Sequence, residues 1–82
     1  MRSNNDEKLI LKNNVSKIRK NKGLTQAEFC KMIGVSRQTV SYIETGEFCP
    51  SAKLAYIICL VLDTKFEDLF YLESQNWLTN VF

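Results

Sequence analysis

Histidine is absent from this 82-residue chain, and proline occurs only once. Without an imidazole the protein cannot build a Ser-His or Cys-His nucleophile pair, and it lacks the side chain that most often binds a metal ion. The sequence also shows no Gly-rich phosphate loop and no paired-carboxylate site for acid/base chemistry. We therefore expect a protein that is not an enzyme and that needs no cofactor and no metal.

Cysteine and long apolar runs are also scarce. Cys30, Cys49 and Cys59 are odd in number and widely spaced, which disfavours a disulfide framework or a zinc site, and each is interpreted as a small buried hydrophobe. Residues 1–8 are polar, and the longest apolar run, residues 54–62, is far shorter than the roughly 20 residues of a membrane span. We expect a reduced, cytoplasmic protein with no membrane partner.

The charges are distributed unevenly along what should be a single domain, residues 1–82. The composition, 45% hydrophobic and 24% charged, is that of a folded protein. Residues 1–41 carry 9 basic and 3 acidic side chains, whereas residues 42–82 carry 2 basic and 6 acidic ones. The overall charge of +2 thus conceals a basic half of +6 and an acidic half of −4. Such asymmetry favours a polyanion partner for the first half and another role for the second.

Glycines and helix-capping residues predict an all-α chain of five helices. Thr25 and Glu28 have the spacing of a capping box, and Thr64 and Glu67 repeat it. The predicted helices cover residues 13–22, 26–33, 37–45, 52–62 and 64–69, with Ser36 and Ser51 as N-caps of the third and fourth. The apolar runs 9–11 and 70–72 are able to pair as a short two-stranded ribbon of the N- and C-terminal segments.

The second and third predicted helices, joined by a Gly-containing turn of about four residues, have the spacing of a helix-turn-helix. With about 100° per residue, the third helix divides into an apolar face with Val40 and Ile43 and an opposite polar face. The polar face carries Arg37, Gln38, Ser41, Tyr42 and Thr45. Arg suits the guanine edge, Gln the adenine edge and Ser either, although an ordinary solvated face has the same pattern.

The segment Leu24–Gly46 resembles the Cro/phage-repressor family of bacterial and phage helix-turn-helix regulators. Thr-Gln opens the second helix, Gly-Val-Ser forms the turn, Arg-Gln-Thr-Val-Ser opens the third helix, and Ile-Glu-x-Gly ends it. The resemblance covers about residues 14–72, with the motif at 25–45 and a C-terminal tail at 73–82. It implies a lambda-repressor-like five-helix bundle whose third helix enters the DNA major groove.

The resemblance also implies a role for several individual residues. The base-reading positions are held by Arg37, Gln38, Ser41 and Tyr42. The DNA-backbone positions are held by Gln26, Ser36 and Thr39. In this family an Arg of the first helix often forms a structural ion pair with a Glu near the end of the third, and these positions are held here by Arg19 and Glu44.

Some positions depart from the family pattern. Thr45 stands where Asn is common, Cys30 where Ala is common, and Glu47 where a basic residue is usual. Because Glu47 opposes phosphate contact in its loop, backbone binding should depend more on the basic first helix, chiefly on Lys17 and Lys20. The alternative for those lysines is a solvated charge run without a partner.

The tail beyond Glu73 is rich in apolar residues but too short to form a core of its own. It must fold back on the domain or pack on another subunit, unless it is a disordered terminus. Together with the apolar far side of the fourth helix it predicts a dimer surface, consisting of Tyr56, Leu60, Tyr71, Trp77, Leu78 and Phe82.

The leading hypothesis is a homodimeric, sequence-specific regulator of transcription that binds double-stranded DNA and acts as a repressor. It would bind a palindromic operator with half-sites about 34 Å apart, and so associate with the nucleoid. One alternative is the antitoxin of a toxin–antitoxin pair. Another is a helical protein-interaction module without DNA binding, which a weak salt dependence of affinity would reveal.

Overall fold

The structure, a computed structural model, describes residues 10–73 as five helices and a two-stranded antiparallel ribbon. The elements in chain order are β1 (Ile10–Asn13), α1 (Val15–Asn21), α2 (Gln26–Ile33), α3 (Arg37–Thr45), α4 (Ala52–Leu62), α5 (Phe66–Leu69) and β2 (Phe70–Glu73). The all-α prediction with a terminal ribbon is thereby confirmed. The predicted helices 26–33, 37–45 and 52–62 have the bounds that the structure gives them.

A single apolar core holds the helices together. Each helix contributes at least one fully buried side chain to it, and the largest of these are Val15, Phe29, Val40, Ile43, Ile58, Leu62 and Leu69. Burying a side chain of this size contributes about 1.5–3 kcal/mol. Because α3 supplies Val40 and Ile43 to the core, its opposite face is left toward solvent.

Side-chain caps begin the three longest helices, as the sequence predicts. The Thr25 hydroxyl accepts from the Glu28 amide at 3.0 Å, and the Glu28 carboxylate accepts from the Thr25 amide at 2.9 Å. Ser36 and Ser51 accept the corresponding amide bonds at the starts of α3 and α4. Gly34 then ends α2 with a φ of 80°, a left-handed conformation that sets the tight turn into α3 and disfavours any side chain with a Cβ.

The capping box predicts how the stability of the domain depends on pH. The hydrogen bonds from Thr25 hold the pKa of Glu28 below its usual value of 4.5. Its ionised form therefore stabilises the fold above that value, and the contribution is lost as the pH falls through the lower pKa of the folded state. In a Glu28→Gln variant this part of the acid sensitivity should disappear. Urea unfolding of both proteins at pH values from about 5 to about 3 checks this, and parallel losses of stability in the two would contradict it.

The first helix begins at Val15, whereas the sequence predicts a start at residue 13. Asn13 belongs to β1, where its Oδ1 accepts from the Val15 amide at 3.1 Å and its Nδ2 donates to the Ile43 carbonyl at 2.8 Å. The side chain of Asn13, which the sequence places within the first helix, therefore connects β1 to the start of α1 and to the backbone of α3 at Ile43.

The second predicted capping box is wrong. The short helix α5 begins at Phe66, its N-cap is Lys65, and no side chain caps it. The hydroxyl of Thr64 donates instead to the carbonyl of Leu62 at 2.8 Å. Helix α4 ends at Leu62, and the carbonyls of its last turn have no partner within the helix. The Thr64 hydroxyl therefore bonds to one of these carbonyls and not to an amide of the four-residue helix α5.

The ribbon joins the two ends of the described chain. Its register pairs Leu11 with Leu72 and Asn13 with Phe70 on one face, and places Lys12 opposite Tyr71 on the other. The predicted strand residue 9 lies outside the described residues, and the two strands extend beyond residues 11 and 72, where the predicted runs ended.

Candidate nucleic-acid interface

The exposed face of α3 carries every side chain that the sequence assigns to base reading. Arg37, Gln38 and Tyr42 are exposed and Ser41 is half-buried, whereas Val40 and Ile43 behind them are no more than 1% exposed. The structure thus brings the four polar residues together on one surface of a helix whose other side is fixed in the core. Such a helix has the width that the major groove of B-DNA admits.

Two of these side chains are joined to each other. The side-chain amide nitrogen of Gln38 donates to the phenol oxygen of Tyr42 at 2.8 Å. The two residues are four apart on α3, the spacing at which side chains on one helix face meet. The carbonyl oxygen of the Gln38 side chain is not used by this bond.

The N-terminus of α3 holds the two hydroxyls predicted to contact the DNA backbone. Ser36 is exposed, and its oxygen lies 3.1 Å from the Thr39 amide and 2.9 Å from the Thr39 hydroxyl. The Ser36 side chain therefore acts first as the helix cap, and the Thr39 hydroxyl is hydrogen-bonded to it. They also lie at the positive end of a helix dipole, which attracts phosphate.

A buried ion pair fixes the opposite end of α3. The Nε of Arg19 lies 2.6 Å from a carboxylate oxygen of Glu44, and both side chains are only 6% exposed. A second guanidinium nitrogen reaches the Leu24 carbonyl at 2.7 Å. The amide nitrogen of Gln26 donates to the same carboxylate at 3.0 Å. Glu44 therefore links α1, the N-terminus of α2 and the C-terminal end of α3.

The position of Gln26 adds to what the sequence predicts for it. The resemblance implies a residue that grips phosphate and braces the recognition helix, and the bond to Glu44 is such a brace. Gln26 is half-buried, so part of its amide remains at the surface at the N-terminus of α2. Lys17 and Lys20 are exposed on α1. Arg19, by contrast, adds nothing to the cationic surface because Glu44 neutralises it.

The sequence profile that describes the helix-turn-helix matches residues 15–69, from the first residue of α1 to the last residue of α5. This chain belongs to the Cro/phage-repressor family of helix-turn-helix proteins. Its class is therefore that of DNA-binding transcriptional regulators.

Relatives of this helix-turn-helix protein occur in bacteria and archaea. It is 42% identical over 66 residues to the HTH-type transcriptional regulator YgzD of Bacillus subtilis, which covers 80% of this chain and 100% of that protein. It is 43% identical over 66 residues to an HTH-type transcriptional regulator of Methanocaldococcus jannaschii, with the same two coverages. It is also 36% identical over 56 residues to the antitoxin PezA of Streptococcus pneumoniae, covering 68% of this chain but 35% of that relative.

A second surface of the helix-turn-helix domain is apolar. A cavity of about 390 Å³, here called the α4 groove, opens between the ribbon, the loop before α4, and helices α4 and α5. It is lined by Leu11, Cys49, Pro50, Ala52, Ala55, Tyr56, Cys59, Phe66 and Phe70. Tyr56 is 66% exposed at its rim, and Leu60, one turn further along α4, is 62% exposed. Among residues 10–73, no charged side chain lines the α4 groove.

The structure groups only part of the predicted dimer surface. Tyr56 and Leu60 share one face of α4, but Tyr71 projects from the ribbon face opposite to that of Phe70, which lines the α4 groove. Trp77, Leu78 and Phe82 lie outside the described residues.

Phe66 was missed by the sequence prediction. It is 52% exposed, lines the α4 groove and stacks on Phe70 with ring centroids 5.1 Å apart. The signal that could have found it is the spacing of these two phenylalanines, which are four residues apart, so that the rings meet where α5 passes into β2.

The cysteines differ from one another in burial. Cys30 is buried and Cys59 is half-buried, but Cys49 is exposed, so the interpretation of Cys49 as a buried hydrophobe is wrong. It lies in the loop between α3 and α4. Burial raises the pKa of the Cys59 thiol above its usual value of 9.0, so this groove-lining side chain is protonated and uncharged at neutral pH.

Two further properties concern residues 10–73 alone. In this range no helix has both the length and the apolar composition that crossing a bilayer requires. Nor does this part of the chain contain three His, Cys, Asp or Glu side chains grouped so that they could hold a metal ion.

Proposed function

We propose that this protein is a sequence-specific transcriptional repressor that binds double-stranded DNA as a homodimer, with α3 in the major groove of a palindromic operator. The observation that carries the proposal is the exposed face of α3, whose hydrogen-bonding side chains stand on a helix anchored by Val40 and Ile43. The protein acts by binding and not by catalysis, in the cytoplasm at the nucleoid. Occupying an operator is sufficient for repression, since it excludes other proteins from the site.

The base-reading surface consists of Arg37, Gln38, Ser41 and Tyr42. Arg37 lies at the N-terminal end of α3, where residues of a recognition helix approach base edges, and its guanidinium can give two bonds to guanine O6 and N7. Each good two-bond contact discriminates against a wrong base by about 1–3 kcal/mol.

Contacts to the DNA backbone position this surface on the duplex. Gln26, Ser36 and Thr39 lie at the starts of α2 and α3, where backbone amides and helix dipoles favour phosphate. Lys17 and Lys20 add two exposed positive charges on α1. The buried pair of Arg19 and Glu44 holds α1 against α3, so the backbone contacts and the base contacts keep a fixed relation.

The homodimer uses the apolar side of α4. Tyr56 and Leu60 are the two most exposed of the large hydrophobic side chains that the structure describes, and the uncharged α4 groove continues from Tyr56. A contiguous apolar surface of this kind is typical of a protein interface. The tail residues Trp77, Leu78 and Phe82 remain part of the proposed surface, and Tyr71 would extend it from the other face of the ribbon.

Two kinds of substitution test DNA binding and separate its components. Arg37→Ala should reduce the preference for a selected duplex over an unrelated one by about 1–3 kcal/mol, because it removes base contacts. The double change Lys17→Gln and Lys20→Gln should weaken binding to both duplexes. It should also lower the log–log salt slope by about 0.9 for each phosphate that the lysines no longer neutralise.

Lys31→Gln is the matched control, since Lys31 is an exposed lysine in the last turn of α2, at the end opposite Gln26. It should leave both the preference and the salt slope unchanged. Equilibrium titrations at several salt concentrations provide all of these values. A wild-type protein with little salt dependence and no preference among duplexes would contradict the proposal and favour a protein-interaction module.

The match to PezA favours a second candidate, the antitoxin of a toxin–antitoxin pair. An antitoxin needs a surface for its toxin, and the α4 groove is the apolar surface available for one. Co-purification with the product of an adjacent gene, and rescue of cells from that product, would support this role. A wild-type chain that is dimeric through α4 and inert toward such a product would exclude it.

A further inference from the structure

We infer that Tyr42 positions the side-chain amide of Gln38 so that Gln38 selects adenine over guanine. This inference rests on the proposed function, because it assigns the specificity of one side chain within the proposed base-reading surface. It also changes the role of Tyr42 from reading a base to positioning a neighbour that does.

The geometry of the pair is that of a preorganised contact. Gln38 Nε2 donates to Tyr42 Oη at 2.8 Å on the exposed face of α3. The Tyr42 carbonyl accepts from the Thr45 hydroxyl and from the Phe48 amide, each at 3.1 Å, so that the backbone beneath the phenol is itself held. A glutamine has many rotamers, and holding one of them before binding lowers the entropy cost of the contact.

The bond decides what the Gln38 amide can still offer to a base. A glutamine amide has two N–H donors and one carbonyl acceptor. With one N–H given to Tyr42, a single donor and the carbonyl remain. Adenine presents N7 as an acceptor and N6 as a donor in the major groove. These two groups match the remaining N–H donor and the carbonyl acceptor of Gln38.

Guanine does not match it. Its major-groove edge presents two acceptors, N7 and O6, so two donors are needed for a two-bond contact. A glutamine without a neighbour can supply both N–H groups, but Gln38 bonded to Tyr42 cannot. The carbonyl of Gln38 would in addition face guanine O6, and two acceptors repel one another. Tyr42 therefore favours adenine chiefly by rejecting guanine.

The test is Tyr42→Phe, which keeps the ring and removes the accepting oxygen. The probe is a duplex selected from a random pool by the wild-type protein, with each base pair replaced in turn. Gln38→Ala identifies the base pair that Gln38 contacts, as the position where the preference of the wild type disappears. At that position the wild type should prefer adenine, and Tyr42→Phe should reduce the adenine-to-guanine affinity ratio by roughly 2- to 10-fold, the effect of one neutral hydrogen bond.

The double variant separates positioning from direct reading. If Tyr42 acts through Gln38, the variant with Gln38→Ala and Tyr42→Phe should show the base preferences of Gln38→Ala alone. Thermal unfolding of Tyr42→Phe should match the wild type, because the phenol is exposed, so a change in folding cannot account for the altered ratio.

Three results would overturn the inference. A Tyr42→Phe effect at a different base pair, or one that adds to Gln38→Ala, would make Tyr42 a reader of its own base. A wild-type preference for guanine at the Gln38 position would mean that the amide presents both N–H groups. A random pool that yields no enriched sequence would overturn the proposed function together with the inference, whereas the first two results leave DNA binding intact.

Discussion

Replacing Glu44 with alanine is expected to lower the free energy of unfolding by about 3–5 kcal/mol. The Arg19 guanidinium would remain buried without its carboxylate, and Gln26 would lose its acceptor. Small domains have total stabilities near the lower end of about 5–15 kcal/mol, so the variant should be largely unfolded or close to it at 37 °C. Urea and thermal unfolding followed by circular dichroism measure the effect.

The matched control is the exposed ion pair between Lys12 and Glu73, which are 3.4 Å apart with side chains about half exposed. Glu73→Ala should cost less than about 1 kcal/mol. Replacing both members of the buried pair with apolar residues, Arg19→Met with Glu44→Leu, should recover much of the stability, because no unpaired charge is then buried. Equal costs for Glu44→Ala and Glu73→Ala would show that the buried network does not hold α3 in place.

Placing charges on the exposed face of α4 is expected to abolish the dimer. In a variant with Tyr56→Glu and Leu60→Glu, the carboxylates of two copies would face each other in an apolar interface. Each monomer would then bind a half-site alone, and operator affinity should fall by about 10²- to 10⁴-fold, the gain that linking two binding sites provides. Sedimentation velocity measures the first effect, and titration of the palindromic duplex measures the second.

Met32→Glu is the control for the dimer prediction, since it alters a half-exposed hydrophobic side chain on α2, away from the α4 groove. It should sediment as the wild type does. A chain truncated after Glu73 separates the contribution of the tail from that of α4. If the α4 variant remains a dimer while the truncated chain is a monomer, the interface depends on the tail and not on Tyr56 and Leu60.

The parts of the fold that follow from local chemistry could be predicted from the sequence. Thr25, Ser36 and Ser51 begin helices because a side-chain oxygen near an unpaired amide is favourable wherever the chain places it. Val40 and Ile43 are buried because their spacing leaves α3 with one apolar face. The division of α3 into a core side and an exposed polar side therefore needed no knowledge of the other helices.

The parts that depend on contacts between elements could not be predicted in the same way. Thr64 has the capping-box spacing but donates to the end of α4, and only the path of the chain between α4 and α5 decides this. Tyr71 faces away from the α4 groove because the register with β1 sets its side, and that register depends on where α1 begins and where α5 ends. The bond between Gln38 and Tyr42 is a choice of rotamers, which residue spacing permits but does not determine.

The structure changes how the charges of the two halves contribute to the protein surface. Arg19 is counted in the basic half and Glu44 in the acidic half, yet they neutralise each other in the interior. The cationic surface is therefore smaller than the sequence suggests, and it depends more on exposed residues such as Lys17 and Lys20. Non-specific DNA binding should accordingly be modest. Base-specific contacts and dimerisation should provide the rest of the affinity.

In the proposed homodimer, two copies of α3 read a palindromic DNA sequence. Selection of bound duplexes from a random DNA pool by the full chain tests it most directly. We expect an enriched sequence with two inverted half-sites whose centres are about one helical turn, or 34 Å, apart. A pool that remains random after repeated selection, or an enriched sequence without two-fold symmetry, would contradict it.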